Sequence, residues 1–115
     1  MKVVSEKRLD FVVLTAKGKI TVGDGDAEIR QAIESAIQSS PRVIILDMER
    51  VTYVDSSGVG EMVSMFAWLR EKGIGLAIVS VKPKVYGLLS LTRLVSVFPI
   101  YDSLEDAMLS LTMAA

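Results

Sequence analysis

Hydrophobic positions change period several times along the chain, and each change predicts an element. Lys2 to Leu9 and Asp10 to Ala16 carry β-branched residues around a polar break at Glu6 to Asp10, which predicts a hairpin or two short edge strands. A third short strand is expected over Lys19 to Val22. The run Gly23-Asp24-Gly25-Asp26 then suits a turn and a helix start. Ile29, Ala32, Ile33, Ala36 and Ile37 recur at helical spacing, so a helix is expected from Asp26 to Gln38, closed by Ser39-Ser40-Pro41.

Val43-Ile44-Ile45-Leu46 is a continuous apolar run, as expected of a central strand covered on both faces, and Leu76-Ala77-Ile78-Val79 is its predicted neighbour. A helix over Ser57 to Lys72 joins them as a crossover. Pro83 suits the first position of a short helix carrying Val85, Leu88 and Leu89. Val97 to Tyr101 reads as a last strand. Ser103, with Asp106 three residues on, opens a terminal helix whose buried stripe is Leu104, Ala107, Met108 and Leu111. The alternation defines one α/β domain over residues 1–115, with a mixed, mostly parallel sheet of about four or five strands and about four helices. In such sheets ligands and partners meet the carboxyl ends of the strands, where Asp55 and Ser56 are expected.

Composition narrows the chemistry. Half of the residues are hydrophobic, yet no run reaches the roughly 18 to 20 apolar residues that cross a bilayer, and MKVVSEKRLD lacks the unbroken apolar core of a signal peptide. A cytoplasmic protein with no membrane partner is the expectation. Without cysteine, there are no disulfides, thiolate nucleophiles or common zinc sites; without histidine, no imidazole base. The expectation is a non-enzyme with no cofactor and no metal. Thirteen basic against fourteen acidic side chains, with no dense basic cluster, argue against nucleic acid.

The stretch VTYVDSSGVGEM, Val51 to Met62, is where a buried strand hands over to a helix, and it carries two hydroxyls behind an aspartate. As a nucleophile, Ser56 has only the weak base Asp55 beside it. As a phosphate loop, SSGVGEM lacks the full spacing and the lysine of GxxxxGK[ST]. Ser57 or Gly58 would serve as N-cap, with Glu61 close enough to favour the dipole. One of two consecutive hydroxyls is then left over, exposed at a helix N-terminus, which suits a reversible phosphate.

At about 100° per residue, Val59, Met62, Val63, Phe66 and Leu69 fall on one side of this helix and predict its core face. Glu61, Met65 and Trp68 fall opposite, with Gly60, Ser64 and Ala67 as a strip of small residues between. Two readings follow: a partner surface, or packing of Met65 and Trp68 beneath a neighbouring loop or the N-terminal strands.

The segment VIILDMERVTYVDSSGVGEMVSMF, continued by GIGLAIVSVKPKVYGLLSLTRLVSVFPIYDSLEDAM, closely resembles the STAS domain of bacterial anti-sigma factor antagonists, over about Phe11 to Leu111. The DSSG motif is its most specific part. The resemblance implies a partner switch: the unmodified domain binds an anti-sigma factor that is also a serine kinase and so frees the sigma factor. The kinase phosphorylates Ser56, and a PP2C-type phosphatase restores it. Asp55 carries over as the adjacent acid, and Ser57 matches a serine or threonine position. Many such antagonists have an acid where this chain has Thr21, so Asp24 or Asp26 is the candidate substitute. The expected docking surface is Asp55, Gly58, Gly60, Ser64 and Trp68, extended by Asp24, Glu61 and Met65. The alternative is a small-ligand or nucleotide sensor on the same fold, or an unphosphorylated subunit of a signalling or transport assembly.

Overall fold

Alternate side chains along the strands feed two separate cores. Val12 and Leu14 of the second strand, Ile44 and Leu46 of the third, and Leu76 and Ile78 of the fourth enter the larger one. Phe11 and Val13, Val43 and Ile45, and Ala77 and Val79 enter the smaller one on the opposite face. This is the period-two pattern of a sheet covered on both sides. The computed structural model describes residues 1–21, 23–91, 93, 96 and 98–113.

The elements run β1 (Lys2–Arg8), β2 (Phe11–Ile20), α1 (Asp26–Ile37), β3 (Val43–Val54), α2 (Ser56–Glu71), β4 (Gly75–Val79), α3 (Pro83–Leu91), β5 (Ile100–Tyr101) and α4 (Leu104–Met113). The five strands lie in chain order. β1 and β2 pair antiparallel, whereas β2–β3, β3–β4 and β4–β5 pair parallel through helical crossovers. α1, α2 and α3 place Ile29, Ile33, Met62, Met65, Leu69, Val85 and Leu89 in the larger core. α4 covers the other face with Ala107, flanked by Leu104, Met108 and Leu111. The expected α/β fold is therefore present, with five strands and four helices among the described residues.

Three boundaries differ from the sequence expectation. The third strand predicted from Lys19 is the end of β2, which continues through Gly18 because two register shifts against β3, at Thr15/Lys17 and Gly18/Lys19, absorb the irregularity. Position 22, where that strand was expected to end, lies outside the described residues. β3 runs on to Val54, well past its apolar first half, because its later residues still pair with Lys17 to Ile20. The last strand is only Ile100–Tyr101; its expected start at 97 lies outside the described residues.

The end of the molecule opposite the strand carboxyl ends is pinned by one side chain. Arg42 donates from Nε to Asp10 Oδ2 at 3.0 Å and from Nη2 to the Leu111 carbonyl at 2.8 Å, and it lies over the Phe11 ring at 4.9 Å. α4 is thereby tied to the starts of β2 and β3. At the other end of α4, the Ser103 Oγ accepts the Asp106 N–H at 3.1 Å, the cap expected from the sequence.

Candidate functional site: the start of α2

The hydroxyls of Ser56 and Ser57 are both left free by the way α2 begins. Asp55 is extended, with φ −99° and ψ −179°, and its Oδ1 accepts the Gly58 N–H at 2.7 Å. Its carbonyl accepts the Val59 N–H at 2.9 Å. Asp55 is thus the N-cap, which corrects the expectation that Ser57 or Gly58 would fill that position. An aspartate and a serine cap about equally well, and here the extended backbone of Asp55 decides between them. Ser56 and Ser57 become the first two residues of the helix, both exposed, with no hydrogen bond from either hydroxyl among the described residues.

Gly58 holds this helix start against the end of β2. A Cβ there would meet the Ile20 carbonyl oxygen at 2.0 Å and its carbon at 2.9 Å, so no side chain fits without moving backbone. The start of α1 grips the same strand end: a Cβ on Gly25 would meet the Lys19 oxygen at 2.0 Å, and Gly25 also holds φ +92°. Between them the chain turns tightly. Thr21 N–H donates to the Asp24 carbonyl at 2.8 Å, and Asp24 N–H returns to the Thr21 carbonyl at 3.2 Å.

The two candidate acids of this turn have different fates. Asp26 opens α1, and its Oδ1 accepts the Gly23 N–H at 3.2 Å. Asp24 is exposed, its carboxylate without a hydrogen bond among the described residues.

The face assignment of α2 needs correcting at several positions. Met65 is fully buried in the larger core and is no part of an exposed surface. The buried residues are Gly58, Val59, Met62, Met65 and Leu69, so Val59, Met62 and Leu69 of the expected core face are buried as predicted, whereas Val63 and Phe66 are only half-buried beside them. The sheet and α1 take α2 on a face rotated by part of a turn from the one the apolar residues alone suggested. Trp68 is half-buried, packed against the same core, with Lys72 Nζ 5.8 Å from its ring centroid. Glu61 lies beyond the first turn, which carries no acid, and pairs with Arg30 of α1.

What remains on the surface is a row of small residues. Ser57, Gly60, Ser64 and Ala67 are all exposed and are spaced by three, four and three, so they line one ridge leading away from Ser56. A Cβ on Gly60 would meet nothing within 4 Å. Of the predicted residues, Asp55, Ser56, Ser57 and Gly58 lie together at the helix start, and Gly60 and Ser64 continue from them; Met65 does not.

Sequence reasoning overlooked the neighbouring end of β3. Tyr53 is 50% exposed two residues before the cap, and a cavity of about 220 Å³ opens there between Thr52, Tyr53, Val54, Lys84, Val85 and Leu88. Val51 and Val54 are buried while Thr52 and Tyr53 between them are exposed, so the end of β3 departs from strict alternation and the sequence carried no periodic signal for an exposed Tyr53. Among the described residues, no three acidic side chains gather as a metal centre, and no helix is long and apolar enough to cross a membrane.

A five-stranded α/β sheet with a capped, serine-bearing helix start after its longest central strand is an arrangement shared with a known class of regulatory domain. Residues 2–107 match the STAS domain family model, and the chain belongs to that family. It is 25% identical over 116 residues to the anti-sigma F factor antagonist of Paenibacillus polymyxa, covering 100% of this chain and 98% of the relative. A solved anti-sigma factor antagonist from Mycobacterium paratuberculosis superposes with a TM-score of 0.81 at 25% identity, over 95% of this chain and 92% of that one. The Bacillus cell fate determinant SpoIIAA, solved in its phosphorylated form, gives 0.70 at 22% identity, over 96% and 99% of the two chains, and this likeness shows the fold.

Proposed function

We propose that this chain is an anti-sigma factor antagonist that works as a cytoplasmic, noncatalytic partner switch with Ser56 as its phosphate acceptor. The observation that carries the reading is the division of labour at the start of α2. Asp55 takes the capping role, and the Ser56 hydroxyl is left exposed and unbonded at the first helical position. A kinase can reach that oxygen without opening the fold.

The unmodified domain binds an anti-sigma factor with serine-kinase activity through the ridge of Ser57, Gly60 and Ser64, together with the exposed part of Trp68 and the carboxylate of Asp24. Small side chains permit close approach of a partner. Phosphorylation adds about −1.5 to −2 charges where the surface already carries Asp55, and helix N–H groups and the positive dipole end accommodate it locally. The partner meets the charge and bulk directly, so binding falls by repulsion while the domain keeps its shape. A PP2C-type phosphatase reverses the step.

The test is mass spectrometry of the protein recovered from its native cells with phosphatase inhibited, beside binding of the purified protein to its anti-sigma factor. One added phosphate on Ser56, absent in Ser56→Ala, is expected. In binding, Ser56→Ala stays bound in the presence of ATP and Ser56→Asp binds more weakly. No phosphate under any growth condition, or equal binding by all three forms, refutes the switch.

A further inference from the structure

β1 is a terminal strand of the sheet, and its free side is an open edge seven residues long. All of its residues except the half-buried Val3 are exposed. Such an edge presents unpaired N–H and C=O groups and is a template for another strand. Charged residues commonly blunt edges of this kind. Here the order Lys2, Val3, Val4, Ser5, Glu6, Lys7, Arg8 does something more selective, because it discriminates among the registers in which two copies could meet.

Two identical strands related by a two-fold axis pair antiparallel, and directly opposed residues must turn their N–H groups to the same shared edge. Only residues of like parity can therefore oppose each other, and the axis must pass through a single residue. An axis at Val3 sets Lys2 against Val4 and leaves Glu6 to Arg8 without partners. At Ser5 it sets Lys2 against Arg8, a like-charge pair, twice. At Glu6 it sets the two Glu6 carboxylates against each other. At Val4 it sets Lys2 against Glu6 of the second copy, twice, with Val3 against Ser5 and the two Val4 side chains meeting at the axis. Opposed charges of opposite sign stabilise a sheet, and like charges destabilise it.

The same-face arrangement also fits. Lys2, Val4, Glu6 and Arg8 alternate onto one face, where Val4 and Glu6 sit beside Thr15 and Val13 of β2 and Arg8 Nε lies 3.4 Å from the exposed Glu6 Oε2, an open pair that leaves the carboxylate within reach of a second cation. That face of β1 is left bare, and Val4 is 53% exposed there. Pairing at Val4 would cover this apolar side chain with its own copy and flank it with two Lys2–Glu6 pairs.

We propose that β1 is a homodimerisation edge, joining two copies into one continuous sheet with the two-fold axis at Val4. The helices stay on their respective faces, and the start of α2 does not belong to the joined edge.

The experiment is sedimentation velocity of the full chain over a concentration series, with circular dichroism to verify folding of each variant. The wild-type average mass is expected to rise toward that of two chains. Glu6→Lys opposes like charges twice and should weaken dimerisation roughly tenfold or more, whereas the double swap Lys2→Glu with Glu6→Lys should restore it. The chain contains no cysteine, so single introduced thiols report the register cleanly. Val4→Cys should form a disulfide-linked dimer under mild oxidation, and Ser5→Cys, which faces Val3 of the second copy, should not. A wild-type chain that stays monomeric throughout, a dimer indifferent to Glu6→Lys, or equal cross-linking at positions 4 and 5 overturns the proposal.

Discussion

The starts of α1 and α2 press on the same strand end and are built in opposite ways. α1 begins at Gly25 with a left-handed backbone and no side-chain cap, and its first turn carries two acids, Asp26 and Glu28. α2 begins at the extended Asp55 with a side-chain cap, and its first turn carries hydroxyls and no acid. At α1 the positive end of the dipole is already balanced by carboxylates. At α2 the cap supplies one carboxylate and the next two positions are uncharged and open. Of the two, only α2 has side-chain oxygens to which charge can be added, and the fixed contact through Gly58 means that the addition need not move the helix.

That comparison is broken most severely at the two glycines. Gly58→Ala forces a methyl group onto the Ile20 carbonyl and should cost about 3 kcal/mol, read as a shift in the denaturant midpoint. Gly25→Ala meets the Lys19 carbonyl and also strains a positive φ, so a loss of about 3 kcal/mol is expected there too. If either substitution were neutral, the strand end would not be gripped as described. Asp55→Ala removes the cap and should cost about 1 kcal/mol, while Asp55→Asn, which can still accept the Gly58 N–H, should stay within a few tenths. Equal losses in both variants would mean that the charge, and not the capping bond, holds the helix start. Gly60→Ala adds a methyl group to open space in a helix interior and should gain about 0.5 to 1 kcal/mol. Under the docking proposal, the same methyl group stands on the ridge and weakens partner binding.

Much of this contrast was legible in the sequence. The apolar runs Val43 to Leu46 and Leu76 to Val79 predict adjacent buried strands, and they pair residue for residue in the parallel register expected of a crossover unit. The serine motif falls at the carboxyl end of β3, as the alternation requires. The errors arise where tertiary contacts choose between local equals. Asp55 and Ser57 are both good caps, and the backbone conformation on leaving β3 selects the first. Met65 fits either flank of the α2 stripe, and the packing of the helix against the sheet turns it inward. Gly58 reads as a turn or cap residue, because nothing in its own segment reveals that the Ile20 backbone lies within touching distance. The sequence pattern breaks the strand between Ala16 and Lys19, because the register shifts that let β2 continue through Gly18 belong to its pairing with β3.

The smallest expected effect on stability is at Ser56 itself. A carboxylate there gains from the helix dipole by about 0.3 to 1 kcal/mol, yet it stands beside the Asp55 carboxylate, which offsets part of that gain. Ser56→Asp should therefore change stability by no more than about 0.5 kcal/mol. In α1, where Asp26 also closes the turn through the Gly23 N–H, Asp26→Ala should lose more than Ser56→Asp changes. Paired thermal melts of the two variants compare the helix starts directly. A large destabilisation by Ser56→Asp would show that added charge disturbs the fold, and the switch would then have to act through this domain's conformation and not through repulsion at its surface. Unchanged stability with weakened binding to the anti-sigma factor would place the whole effect on the partner.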